Sequence, residues 1–126
     1  MPDPFAVPLA ERDLGDTAWL FYTSGTTGRP KGVMQSHLSV VMAAMNNAIE
    51  FGLSRNDVAN ATLPLFHCAQ HTLMFGLLVA GSTLVVMRGF DPVVVLDAIE
   101  RERMSFMVGL PLMHQALLDH PTRPRR

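Results

Sequence analysis

Residues 58–87 carry no aspartate, glutamate, lysine or arginine. A stretch that long without charge has to leave water, either in a globular core or across a membrane. Its most apolar part, TLMFGLLVAGSTLVVM at 72–87, falls short of the ~20 residues a spanning helix needs, and Gly81-Ser82 interrupts it. The segment therefore reads as a buried helix, a turn and a strand, with a membrane span as the alternative.

The rest of the chain extends the same alternation. Residues 18–22, AWLFY, form an apolar run of strand length, and KGVMQSH at 31–37 contains a second short strand. Ser36 can cap a helix whose apolar residues, Leu38, Val41, Met42, Met45, Ala48 and Ile49, recur at helical spacing until Gly52. Residues 58–63 read as a strand stopped by Pro64, and 69–80 as a helix ended by Gly81. Residues 83–87 form a β-branched strand. Asp91-Pro92 is a cap followed by proline at the first helical position, opening a helix to about Arg103. Residues 105–108 read as a strand, and Pro111 opens a last helix ending near His120. Strands alternating with helices predict an α/β fold: βα units forming a mainly parallel sheet covered by helices. The 126 residues suffice for one domain, with residues 1–15 as coil and 121–126 as a basic tail.

Charge and cysteine content narrow the function. A net charge of −1 gives no global basic field for nucleic acid. A single cysteine excludes an internal disulfide and a four-cysteine zinc site, and suits a reducing compartment. The proline-broken, acidic N-terminus lacks the features of a signal peptide. A cytoplasmic setting, at most peripheral to a membrane, is expected.

Residues 22–32, YTSGTTGRPKG, gather three glycines, several hydroxyls and the only lysine of the chain. Glycines let the backbone turn and approach a ligand, and successive free N–H groups make an anion nest. Hydroxyls add donors, and Lys31 adds a mobile charge suited to phosphate. This is not a Walker A loop, in which glycine and then lysine precede Ser or Thr and a helix. The alternative is a glycine-rich hairpin whose threonines serve only the backbone.

DTAWLFYTSGTTGRPKGVMQSH as a whole resembles the phosphate-binding signature of the adenylate-forming (AMP-binding) superfamily, which includes acyl-CoA and aryl-CoA synthetases. LPLFH at 63–67, GSTLVVMRGFDP at 81–92 and ERERMSFMVGLP at 100–111 extend the resemblance over about residues 16–120. It implies an internal piece of the large N-terminal domain of an ATP-dependent acid–thiol ligase. Such an enzyme activates a carboxylate as acyl-adenylate and passes it to coenzyme A. The resemblance places phosphate contacts on Thr23, Ser24, Gly25, Thr26, Thr27 and Gly28, with Lys31 as supporting cation and Pro30 and Gly32 shaping the loop. It implies ATP, Mg²⁺ and coenzyme A as cofactors, and a fatty or aryl acid as substrate.

LPLFHCAQH at 63–71 is the second constellation. His67 and His71 stand four apart, the spacing at which two imidazoles can share a helix face and a metal, but a third ligand is not evident. Cys68 beside His67 could be a nucleophile or a small buried residue. The resemblance gives His67 a different role, at the wall of the carboxylate pocket; the alternative is a core histidine. Many relatives carry glycine near position 70, and Gln70 is expected to narrow or polarise that wall. At Leu112 the resemblance implies the loss of a hydroxyl near the active site. The nine methionines suit an adaptable apolar interior.

The family's later nucleotide-binding segment, its ribose-binding element and its mobile C-terminal domain have no counterpart in this sequence, and no residue here reads as catalytic. The chain alone is expected to be inactive and to need the rest of a ligase or a partner chain. A non-catalytic nucleotide- or phosphate-binding module acting on a partner is the alternative.

Overall fold

The computed structural model describes residues 10–25 and 28–121. Four strands and four helices follow one another: β1 (Thr17–Thr23), β2 (Lys31–Ser36), α1 (His37–Glu50), β3 (Val58–Ala61), α2 (Cys68–Ala80), β4 (Thr83–Val86), α3 (Pro92–Arg101) and α4 (Pro111–Leu118). The chain is α/β, and it divides into two compact units, residues 1–39 and 40–126.

In the first unit β1 and β2 pair antiparallel, with Thr23 opposite Lys31, Tyr22 opposite Gly32 and Phe21 opposite Val33. The alternation of strands and helices in the sequence suggests parallel pairing here, and the connection explains the difference. Residues 24–30 join the two strands, whereas a parallel crossover needs a dozen residues or more. Trp19 and Phe21 lie on the same face of β1, their rings 6.1 Å apart. Ser36 caps α1 as expected, its Oγ accepting from the Ser39 N–H at 3.2 Å.

In the second unit the strands are parallel. Val58, Ala59, Asn60 and Ala61 pair with Thr83, Leu84, Val85 and Val86. On its other side Ala59 pairs, again parallel, with Phe106. β3 is thus the central strand, and its last three residues are buried. Ala59, Leu73 and Leu77 form the core, with Leu53, Leu84, Phe106 and Val108 packed around them. The expected strand over 105–108 reduces to this single bridge. Its place is taken by a side chain: the Asn60 amide bonds both the N–H and the C=O of Val108.

Helix ends follow the sequence closely. Gly81 closes α2 in the left-handed conformation, at φ 72°. Asp91 caps α3, its carboxylate accepting from Val93 and Val94 at 2.8 and 3.2 Å. Among the described residues no methionine belongs to the buried core, and Met34 on β2 and Met42 and Met45 on α1 are exposed. No helix among the described residues is long and apolar enough to cross a membrane.

α1 and α2 meet at Gly76. A Cβ there would stand 3.0 Å from Cβ of Asn47 and 3.3 Å from the Ala44 carbonyl oxygen. Gly76→Val is therefore expected to destabilise the fold by about 1–3 kcal/mol, since a rigid branched side chain forces the helices apart. The urea unfolding midpoint is the measurement.

His71 lies buried in α2 against Phe75, ring centroids 4.7 Å apart. Burial holds its imidazole below the ordinary histidine value of about 6.5. The folded chain then binds that proton less readily than the unfolded chain. Its share of stability is complete above the unfolded value and is lost as pH falls through the lower folded one. The thermal midpoint is expected to drop as pH falls below about 6.5, and the drop to shrink in His71→Gln.

Candidate functional site

Two groups of residues, one in each unit, have the chemistry of a site. The first is the tip of the β1–β2 hairpin. Gly25 and Gly28 both have positive φ, 61° and 81°. At Gly25 there is also no room: a Cβ would run into the Arg29 carbonyl oxygen. The loop folds onto its own backbone there, and only glycine fits. The Lys31 stem lies beside the same glycine, its Cγ 3.7 Å from that Cβ position. Thr23, Ser24 and Lys31 are exposed, Lys31 directly across the ladder from Thr23. Thr26 and Thr27 lie outside the described residues. The described part of the tip thus brings together turned backbone, hydroxyls and one ammonium, groups whose chemistry suits an anion such as a phosphate. A strand, not a helix, follows the lysine, which separates this loop from the Walker type.

The second group lies along the carboxyl edge of the parallel strands, where open α/β sheets bind ligands. Three connections leave from that edge: residues 62–67 after β3, 87–91 after β4 and 107–110 after the Phe106 bridge. His67 ends the first. It is the N-cap of α2, with extended backbone, and its Nδ1 accepts from the Ala69 N–H at 3.2 Å. With Nδ1 committed as acceptor, the neutral ring carries its proton on Nε2. The ring is exposed. His67 is therefore not a core histidine; that place belongs to His71, four residues on.

The same geometry separates the two imidazoles, one outside the helix and exposed, the other inside and buried, so they share no face for a metal. Among the described residues no group of three or more His, Cys, Asp or Glu side chains could hold a metal ion. Cys68 is an exposed free thiol, its sulfur 3.9 Å from His67 Nδ1. Leu112 is exposed on α4.

Gln70 is fully buried, its Oε1 accepting from the Leu63 N–H at 3.2 Å. Asn60, to which the sequence alone assigns no role, is buried as deeply. Its Nδ2 donates to Thr62 Oγ1 at 2.8 Å and to the Val108 carbonyl at 3.0 Å, and its Oδ1 accepts from the Val108 N–H at 2.9 Å. One side chain thereby fixes the 107–110 connection against the exit of β3. A lone amide within the apolar run VANATL was the available signal. Asn60→Ala is expected to lose about 2–3 kcal/mol in urea unfolding, as it strands both Val108 groups.

Residues 3–126 match the model of the AMP-binding enzyme family. The chain is 39% identical over 109 residues to feruloyl-CoA synthase from an Amycolatopsis species, an alignment covering 86% of this chain and 22% of that protein. Among solved structures it resembles o-succinylbenzoate CoA synthetase from Bacillus subtilis in complex with its acyl-adenylate intermediate. There the TM-score is 0.80 at 33% identity, over 90% of this chain and 30% of the other. The same enzyme in complex with ATP and magnesium ion gives a TM-score of 0.80 at 33% identity, over 90% and 24% of the two chains. The chain therefore spans less than a third of the length of these relatives.

Proposed function

This chain belongs to the AMP-binding enzyme family, and on that premise we propose that it forms the phosphate cradle and one wall of the carboxylate pocket of an ATP-dependent acid–thiol ligase. The observation that carries the proposal is the hairpin tip. Its shape rests on a glycine that no other residue can replace, and it sets hydroxyls and the single lysine around turned backbone.

In this reading Thr23, Ser24, Gly25, Thr26, Thr27 and Gly28 hold the β- and γ-phosphates of ATP, with Lys31 as the nearby cation. A carboxylate oxygen attacks the α-phosphorus, a P–O bond forms, and the bond to the bridging oxygen breaks to release pyrophosphate. Negative charge grows on that leaving group, and fixed N–H and hydroxyl dipoles stabilise it without reorganising. Mg²⁺, if carried by the nucleotide, would supply counter-charge to the same phosphates, beside the N–H and hydroxyl groups of this loop. The adenylate then meets a thiol, coenzyme A. Its sulfur attacks the acyl carbon and AMP departs. His67, exposed at the carboxyl edge with its proton on Nε2, stands beside the acyl group as a donor. A fatty or aryl acid suits the apolar surroundings, and the cytoplasm supplies the other two substrates.

Taken alone, the chain is expected to bind ATP without turning it over, because catalysis needs segments beyond the cradle. Calorimetric titration tests the cradle. Lys31→Ala is expected to weaken ATP binding by about tenfold, equivalent to ~1.4 kcal/mol. Equal affinity of the two forms would refute the assignment. Carboxylate-dependent exchange of labelled pyrophosphate into ATP, measured on the chain within its natural reading frame, separates the ligase from a module that only binds. Binding with no exchange in that context favours the module.

A further inference from the structure

We propose that Gln70 is a positioning residue for His67, acting through a side-chain tether that closes the 63–70 segment into a fixed loop. The proposal rests on the reading of His67 as part of the carboxylate pocket. The β3 ladder ends with the Met87 N–H donating to the Ala61 carbonyl at 3.0 Å. Thr62 then bonds Asn60 through its side chain. Leu63 carries the last backbone donor before Pro64, which has none. That donor is taken by Gln70 Oε1, seven residues ahead on the first turn of α2.

Between these two points the chain makes the turn that presents His67. The His67 N–H donates to the Pro64 carbonyl at 2.9 Å, and the His71 N–H to the His67 carbonyl at 3.1 Å. The ring itself is oriented by the Ala69 N–H. Strand exit, turn and helix start are thus one closed ring of hydrogen bonds, and Gln70 is the link that joins its ends.

The other end of the amide argues against a simple packing role. Gln70 Nε2 is buried and has no hydrogen-bond partner among the described residues. A buried donor without an acceptor is unfavourable, and an apolar residue of the same length would avoid it. Glutamine at this site is accounted for by its acceptor oxygen, not by its contribution to the core. Gln70→Met should therefore unfold at the same temperature as the parent or higher, and still loosen the turn. The Leu63 N–H it releases is only half-buried and can turn to water.

The test is amide exchange and side-chain NMR on the 126-residue chain. In Gln70→Met, protection of the Leu63 amide is expected to fall by about tenfold or more. The His67 ring resonances shift or broaden, those of His71 stay in place, and the thermal midpoint does not fall. Unchanged Leu63 protection and His67 resonances would overturn the proposal. So would a lower midpoint with the His67 resonances unmoved, since that is what a packing residue does. Gln70→Glu keeps an acceptor oxygen at the same position and is expected to retain Leu63 protection; its loss there would also overturn the tether, even if the methionine variant failed to fold. Octanoate and benzoate titrations, with ATP titrated alongside, separate this proposal from its premise. Displacement of His67 with weakened carboxylate binding and unchanged ATP binding supports both. Displacement of His67 with carboxylate binding unchanged, or absent from the parent, removes His67 from the pocket and leaves the tether standing.

Discussion

The second unit depends on the amide of Asn60. It lies in the central strand, with parallel chain on either side, but only the β4 side has a full ladder. On the other side the backbone meets β3 at one bridge, and the Asn60 side chain supplies what a second rung would have given. It does so with a donor and an acceptor at once, which no aliphatic residue could. Because the amide sits at the carboxyl end of β3, it also fixes where the 107–110 connection leaves the sheet. Gln70 repeats the device at the connection that follows β3, binding the exit of that strand to the start of α2. Two buried amides, not the sheet itself, thus shape the edge that carries His67.

The hairpin of the first unit achieves rigidity by other means. Its ladder runs to the last residue before the loop, so Thr23 and Lys31 are set by backbone pairing. Beyond them the chain turns through left-handed glycines instead of relying on side-chain packing. Under the role proposed for it, such a loop would offer fixed backbone dipoles to an anion and leave its side chains free to add hydroxyls. The contrast between the units is physical: one holds its loops with buried amides, the other with backbone conformations that a side chain would forbid.

Much of this was legible in the sequence. Ser36, Gly81 and Asp91-Pro92 mark helix ends because capping chemistry is local and needs no knowledge of the fold. The glycine-rich string signals a turn that needs glycine, and Gly25, left-handed and without room for a Cβ, is such a position. The pairing of β1 with β2 was less evident, although the short connection between them already excludes a parallel crossover. Gln70 and Asn60 could not be placed, because their roles depend on backbone groups seven and 48 residues away. Burial of His71 and exposure of His67 were likewise undecidable from spacing alone. A helix over 69–80 leaves His67 before its start and His71 within it, but which side of that helix is buried depends on the elements packed against it. The spacing over 38–49 marks the helix α1 correctly, whereas the methionines, expected to suit an interior, are not among the buried core residues. Periodicity reports that a face is apolar, and says nothing of what covers it.

Gly25 and Gly28 differ in a way that bears on how such a loop can vary. Both have left-handed backbones, but at Gly28 a Cβ would meet nothing within 4 Å among the described residues, whereas at Gly25 it would strike the Arg29 carbonyl. Asparagine, which tolerates the left-handed region, is thus an accessible neighbour in sequence space at one position and inaccessible at the other. Inheritance can adjust the cradle in small steps through residue 28 and the hydroxyls. A change at residue 25 allows no gradation: the loop keeps its shape or loses it in a single codon.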